Sequence, residues 1–319
     1  MKTIACSTHY TKEQFRKLSD YADSLDIKLI DIPIGSTDIS LVKDCDALFG
    51  EFSDELLSAA RHAVWLQSCW DGTDGLVGKP IVASGQVILT NAAGAYDTMI
   101  AEYLLGGCLT MLHHFLPYYR SQQQGVWHPC IPADSLRGKR VTVLGCGRIG
   151  SEFARMADAL GAIVTGVTRS RKAAPSYIRE ILSIDDLDAI LPDTDILVMM
   201  LPMTKDNDHL MDARRLALLP KGAYLLNAGR GKPLDAYAAG EALRSGHLAG
   251  AVLDVFPEEP LEKDDPLWDC PNLLITPHVA GKDRDPYNMA NILEIFRENM
   301  TRWAAGEPLK HVIDVNKGY

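Results

Sequence analysis

Apolar positions along the chain follow two alternating rhythms. Short, nearly continuous apolar runs are separated by longer stretches in which apolar side chains recur every third or fourth residue. This succession of buried strands and amphipathic helices predicts a parallel α/β fold. Strands are expected first at Thr3–Ala5, Lys28–Ile32, Ala47–Phe49, Val64–Gln67 and Val87–Leu89, enough for a small doubly wound sheet. Thr11-Lys-Glu-Gln14 has the spacing of a capping box and predicts a helix through about Ser24. A second set of strands is expected at Val141–Leu144, Ile163–Val167, Ile196–Leu201, Ala223–Leu226, Ala251–Leu253 and Leu273–Ile275. Met289, Ile292, Leu293, Phe296, Met300 and Trp303 then share one helical face. That face needs a partner, and the first sheet is the expected one. The first domain would then be discontinuous, residues 1–95 plus 286–319, with residues 96–285 inserted and crossings near Asn91–Tyr96 and Gly281–Pro286.

Length and composition narrow the class. A chain of 319 residues suits two domains, and 47% hydrophobic with 23% charged residues is ordinary for a folded globular protein. A formal net charge of −10 argues against nucleic acid, since binding phosphate backbones relies on clustered Lys and Arg. The N-terminal segment lacks the apolar core of a signal peptide. Met99–Leu116, the longest apolar stretch, is interrupted by Glu102, His113 and His114 and fits a buried helix better than a membrane span. Seven cysteines, at 6, 45, 69, 108, 130, 146 and 270, show neither paired nor zinc-type spacing. A cytoplasmic protein with reduced thiols, no metal and no membrane partner is expected.

The most informative local signal is Gly145-Cys-Gly147-Arg148-Ile149-Gly150, directly after a predicted strand and opening an amphipathic helix through Phe153, Met156 and Leu160. In that context the glycines allow a tight turn, close approach of a pyrophosphate and close helix–strand packing, and the helix N-terminus faces the phosphates. Without its flanking strand and helix the pattern is weak. At the end of the next strand a carboxylate would bind the ribose hydroxyls of NAD. Here the residues are Thr168-Arg169-Ser170-Arg171, with no carboxylate. Two guanidinium groups and two hydroxyls suit a 2′-phosphate, so NADP is expected ahead of NAD. The plainer alternative is a solvated loop.

Three later segments end predicted strands, where open α/β sheets bind ligands. They are Asn227-Ala228-Gly229-Arg230-Gly231, Asp254 through Glu259-Pro-Leu, and Thr276-Pro-His278. Together they supply what reduction of a 2-oxo acid needs. Arg230 can hold a carboxylate and polarise a carbonyl, His278 can exchange a proton with the nascent alkoxide, and Glu259 can orient and stabilise the charged imidazole. Any one of them alone would more often be structural or solvated.

These motifs, with Leu201-Pro202-Met-Thr204, Asp235 and Pro266-Leu-Trp268, resemble the D-isomer-specific 2-hydroxyacid dehydrogenases, a family that includes phosphoglycerate dehydrogenases and glyoxylate/hydroxypyruvate reductases. The resemblance covers nearly the whole chain. It implies a dinucleotide-binding Rossmann domain inserted in a flavodoxin-like substrate domain, both doubly wound. It makes Arg230, Glu259 and His278 the catalytic trio and sets Arg148 and Ile149 by the pyrophosphate. Leu201, Pro202, Ala228, Gly229 and Asp254 fall in the cofactor-binding set, Ala228 and Asp254 at the nicotinamide end. Trp70-Asp71-Gly72 resembles the loop whose backbone amides bind the substrate carboxylate, although Trp70-Asp71 departs from the small residues common there. Asn91–Asp97 with Ala101-Glu102 resembles the hinge and first cofactor-domain helix.

The expected reaction is hydride transfer between NAD(P)H and a 2-oxo acid or D-2-hydroxy acid, in the reductase direction. Formate dehydrogenases of the same fold pair their His with Gln and lack a carboxylate where Glu259 stands. An alternative of another class is a nicotinamide-nucleotide sensor resembling the dehydrogenase-like corepressors, which keep the trio but usually carry long tails. In relatives the region corresponding to Gln122–Pro132, with Trp127, lies at a two-fold interface, so a homodimer is expected, with Trp127 approaching the partner's active site.

Overall fold

The structure is a computed structural model that describes residues 1–127, 132–281 and 285–315. Of the interface segment, residues 128–131 lie outside the described set, as do residues 282–284 at the second crossing. The chain divides into two compact units, Met1–Tyr96 with Lys282–Tyr319, and Asp97–Gly281.

The first unit holds a five-stranded sheet in the order β2-β1-β3-β4-β5, formed by β1 (Lys2–Ser7), β2 (Ile27–Asp31), β3 (Ala47–Gly50), β4 (Trp65–Gln67) and β5 (Ile88–Thr90). All its pairings are parallel, and the order reverses between β1 and β3, the flavodoxin-like arrangement. The predicted capping box is present: the Thr11 hydroxyl accepts the Gln14 amide, the Gln14 side chain accepts the Thr11 amide, and the helix runs Lys12–Asp23. The helix Pro286–Ala305 buries Met289, Ile292, Phe296 and Met300. Phe296 stacks on Phe49 at 3.9 Å and lies 5.6 Å from Trp65, which seats the helix on this sheet.

A buried polar network runs beneath the ends of β4 and β5. Gln67 Oε1 accepts from the Thr90 hydroxyl and from Asn299, its amide nitrogen donates to the carbonyls of Ser68 and Asn91, and Trp65 Nε1 donates to Thr90. Buried polar groups are costly unless paired. Together these bonds tie the C-terminal helix, β4 and β5 to the segments that begin at Ser68 and Asn91.

The second unit holds seven parallel strands in the order β12-β11-β10-β9-β6-β7-β8, the doubly wound Rossmann order with one further strand. They are β6 (Arg140–Leu144), β7 (Ile163–Thr168), β8 (Glu180–Ser183), β9 (Ile196–Met199), β10 (Ala223–Asn227), β11 (Leu248–Leu253) and β12 (Leu273–Ile275). Six strands are expected from the apolar runs, and β8 is the additional one. That edge strand is only Glu-Ile-Leu-Ser, with Ile181 its one buried side chain, so it carries almost no apolar signal.

Met99–Leu116 resolves into the helix Asp97–Leu112, which buries Ala101, Leu104, Cys108, Met111 and Leu112 in the core of this unit, and a second helix, Phe115–Gln123. The two are bent by 67°, with His114 between them in the left-handed region (φ 55°). No single described helix is long and apolar enough to cross a membrane.

Candidate active site

Between β6 and the helix Arg148–Ala159, Gly145 adopts φ +97°, and a Cβ there would lie 2.4 Å from the Met200 carbonyl oxygen. A Cβ on Gly150 would lie 2.4 Å from the Gly145 oxygen, so these two glycines are required by the protein's own packing. Gly147 is different. It is exposed at the helix N-terminus, and nothing lies within 4 Å of where its Cβ would be. The fold itself does not demand a glycine there, whereas a pyrophosphate drawn close to the first-turn amides does. The loop therefore fits a dinucleotide. Ile149 is half-buried beside it, and Arg148 turns its side chain to Asp97 (Nε–Oδ2 3.1 Å), leaving the backbone at the helix start to face a phosphate.

After β7 the Thr168 hydroxyl donates to the Ser170 carbonyl (2.7 Å), and the Arg169 carbonyl accepts from the Ser183 hydroxyl (3.2 Å). Arg171 is engaged by Asp186, with Nη2 and Nε at 2.9 and 3.2 Å from Oδ2. Asp186 also accepts the Ser183 amide, so the turn after the unforeseen β8 fixes this loop. Lys172, absent from the expected site residues, reaches back to donate to the Cys146 carbonyl inside the glycine loop (3.1 Å). A cation between the two loops could have been noticed in the run Arg169-Ser-Arg-Lys172, but its aim follows only from the fold.

The trio is built from three loops of this same unit. Asn227, buried at the end of β10, accepts the Gly229 amide and donates to the Arg230 carbonyl (3.1 and 2.9 Å), curling the loop that carries Arg230. Arg230 Nη1 donates to the Gly229 carbonyl (2.9 Å), and Ala228 is buried. Leu201 and the exposed Pro202 follow β9, and a Cβ on Gly229 would meet the Leu201 amide at 2.8 Å. Glu259 Oε1 accepts the Phe256 amide (2.8 Å), while Oε2 lies 2.8 Å from His278 Nδ1. His278 has φ +51° and is half-exposed, with 53% of its side chain accessible, so its Nε2 edge remains open to a ligand.

Asp254 anchors the neighbouring loop. It is 1% exposed, and its oxygens accept from the Thr276 hydroxyl (2.6 Å) and from the amides of Val279 (2.8 Å) and Ala280 (2.9 Å). Its carbonyl accepts the His278 amide (2.8 Å). The carboxylate and carbonyl of Asp254 thus tie down the loop that carries His278. Tyr103 adds a bond from its hydroxyl to Thr276 (2.5 Å), and burial pushes its phenol up to about 12.

These contacts give a proton-carrying pair on a fixed frame, an arginine on the neighbouring loop and a dinucleotide loop in one sheet. The matching family model is that of the D-isomer specific 2-hydroxyacid dehydrogenase, NAD binding domain, over residues 105–280. The chain belongs to the D-isomer-specific 2-hydroxyacid dehydrogenases. A Haemophilus influenzae protein named as a 2-hydroxyacid dehydrogenase is 34% identical over 258 residues, covering 76% of this chain and 79% of that one. A dehydrogenase of this family from Aeromonas salmonicida superposes with a TM-score of 0.88 at 30% identity, covering 98% and 99% of the two chains. An NADPH-dependent glyoxylate/hydroxypyruvate reductase from Sinorhizobium meliloti, solved with NADP and sulfate, gives 0.83 at 26% identity and full coverage of both. As a member of the family, the chain is an oxidoreductase that transfers hydride between a nicotinamide dinucleotide and a 2-oxo or 2-hydroxy acid.

In the first unit, the loop expected to bind the substrate carboxylate follows β4. The Trp70 amide is occupied by the Ser68 hydroxyl (3.0 Å), and the Trp70 ring stacks on Tyr96 at 6.1 Å. Asn91 donates to the Asp71 carbonyl (2.6 Å), and Gly72 is exposed. The Trp70 amide thus already has a partner within its own loop.

Proposed function

We propose that the protein is an NADPH-preferring reductase of small 2-oxo acids, of the glyoxylate and hydroxypyruvate class, forming D-2-hydroxy acids. The observation that carries the reading is the Glu259–His278 pair, 2.8 Å apart, with Glu259 pinned by the Phe256 amide. Because Nδ1 faces the carboxylate, Nε2 is the ring atom left to carry the transferable proton. The bound reduced nicotinamide supplies the hydride. Arg230 binds the substrate carboxylate and polarises the carbonyl, His278 Nε2 protonates the oxygen as charge develops, and Glu259 favours the imidazolium before the transfer. Gly145–Gly150, Leu201, Pro202, Ala228 and Gly229 hold the dinucleotide, and Asp71-Gly72 takes the substrate carboxylate.

The NADPH preference rests on Thr168, Arg169 and Ser170, with Lys172 added and Arg171 acting from its ion pair with Asp186. Residues 1–95 plus 286–319 are the substrate domain and residues 96–285 the cofactor domain. The working form is a cytoplasmic homodimer. Phe115, Tyr119, Val126 and Trp127 are 50% to 97% exposed on one helix and the segment after it, an apolar surface of the kind that marks interfaces. Light scattering at micromolar concentration should give twice the chain mass; a strictly monomeric mass would remove the dimer.

A panel of glyoxylate, hydroxypyruvate, pyruvate, branched and aromatic 2-oxo acids, each with NADPH and NADH, tests the function. Fastest turnover of glyoxylate or hydroxypyruvate with NADPH is expected. Tight cofactor binding without turnover of any acid would overturn the proposal.

A further inference from the structure

In a doubly wound sheet, ligands bind beyond the carboxyl ends of the strands where the order reverses, here between β1 and β3. The residue that β3 delivers to that point is Glu51. Its placement is tightly determined. Gly50 has φ +109°, and a Cβ there would lie 1.9 Å from the Ser7 carbonyl oxygen, so no side chain fits and β3 presses directly on the end of β1. The Glu51 amide then donates to that same Ser7 oxygen (2.8 Å). Glu51 leaves the sheet half-buried, and its Oε1 accepts from the Cys69 thiol (3.8 Å), next to Trp70. Among the described residues no lysine, arginine or histidine pairs with it.

Resting on the reading of Asp71-Gly72 as the substrate-carboxylate loop, we propose that Glu51 is a charge filter. It excludes 2-oxo acids whose side chain carries a second anionic group and selects small monoanionic acids bearing a hydrogen-bond donor. A half-buried carboxylate without a cation repels a second carboxylate strongly, because screening by water is reduced there. The same oxygen atoms accept a hydrogen bond from a hydroxyl, and a site that pairs a substrate hydroxyl discriminates against analogues lacking it. The substrate's own carboxylate is bound by the loop amides. Only its distal substituent is read by Glu51.

The test compares kcat/KM for hydroxypyruvate and oxaloacetate, which place a hydroxymethyl and a carboxymethyl group on the same 2-oxo acid, in wild type and Glu51→Gln with NADPH. Wild type should favour hydroxypyruvate by at least about tenfold, roughly 1.4 kcal/mol. In Glu51→Gln the ratio should fall several-fold because oxaloacetate improves. A purely structural role would lower both substrates alike and leave the ratio fixed. An unchanged ratio, or a wild type indifferent to the second carboxylate, overturns the filter while leaving the reductase reading intact. If no acid is turned over, the reductase reading fails by itself. The filter is then decided by quenching of tryptophan fluorescence, Trp70 lying in the loop: D-glycerate should bind more tightly than tartronate in wild type, with the gap narrowed in Glu51→Gln. Equal binding would contradict it.

Discussion

The loops that carry the proposed catalytic trio and the loop proposed to select the cofactor lie on the same sheet, yet they are held in different ways. Asp254 at 1% exposure, Asn227 at 1% and the Glu259–Phe256 bond give each catalytic loop buried or backbone-anchored support. Thr168–Lys172 instead lies at the surface, tied by the exposed Arg171–Asp186 pair and by hydroxyl contacts. A reacting group must be held to within a fraction of an ångström, so its supports are internal and redundant. A phosphate-binding loop needs charge of the right sign, which a looser and more exposed loop provides.

Breaking the pair at the chemical centre should have the largest effect. His278→Ala should lower kcat by about 100-fold or more, the range of a positioned general acid, with NADPH affinity retained in fluorescence titrations. Near-native kcat would remove His278 from the mechanism. Arg230→Lys keeps the charge but loses the planar fork, and kcat/KM should fall by about 100-fold, since orientation as well as attraction is lost. Comparable turnover would mean that charge alone suffices. Glu259→Gln removes the anion that favours the imidazolium, so the pH profile of reduction should move to lower pH. An unshifted profile would show that the 2.8 Å contact does not tune the acid.

The selector loop should respond more mildly and only toward one cofactor. Thr168→Asp/Arg169→Ala introduces a carboxylate and removes a guanidinium, and a charged hydrogen bond contributes about 1.5–3 kcal/mol, roughly tenfold or more in affinity. The ratio of kcat/KM for NADPH to NADH should invert. Equal use of both cofactors by wild type would refute the assignment of the loop.

A smaller effect is expected far from both loops. Arg140 donates from its backbone amide and Nε to one oxygen of Asp195 and from Nη2 to the other, and these hydrogen bonds hold the carboxyl below its ordinary range. A lowered carboxyl stabilises the fold above its unfolded value near 4, and this contribution is lost as pH falls through the folded value. Asp195→Asn should therefore be less stable than wild type at pH 7 in urea denaturation, with the gap closing on acidification. A gap that persisted at low pH would assign the loss to packing.

The same contrast explains what the sequence disclosed. The residues of the proposed trio, the glycine loop and eleven of the twelve strands could be picked out because each has a local signature: an apolar run, a glycine spacing or a reactive side chain after a strand. β8 could not, since four residues with a single buried isoleucine barely register as a strand. Asp186 and the aim of Lys172 went unseen with it, because they depend on where that strand pairs. Asp254 was legible as a candidate, but its packing was not. Only the folded loop reveals that its oxygens face Thr276, Val279 and Ala280.

The most direct test of the account follows the hydride and the proton together. Hydroxypyruvate is reduced by NADPH dideuterated at nicotinamide C4, and the product is analysed by mass spectrometry and chiral chromatography, with His278→Ala alongside. The account predicts D-glycerate carrying one deuterium at C2, formed by wild type and nearly abolished in the variant. Unlabelled glycerate, the L-isomer, or equal formation by His278→Ala would contradict it.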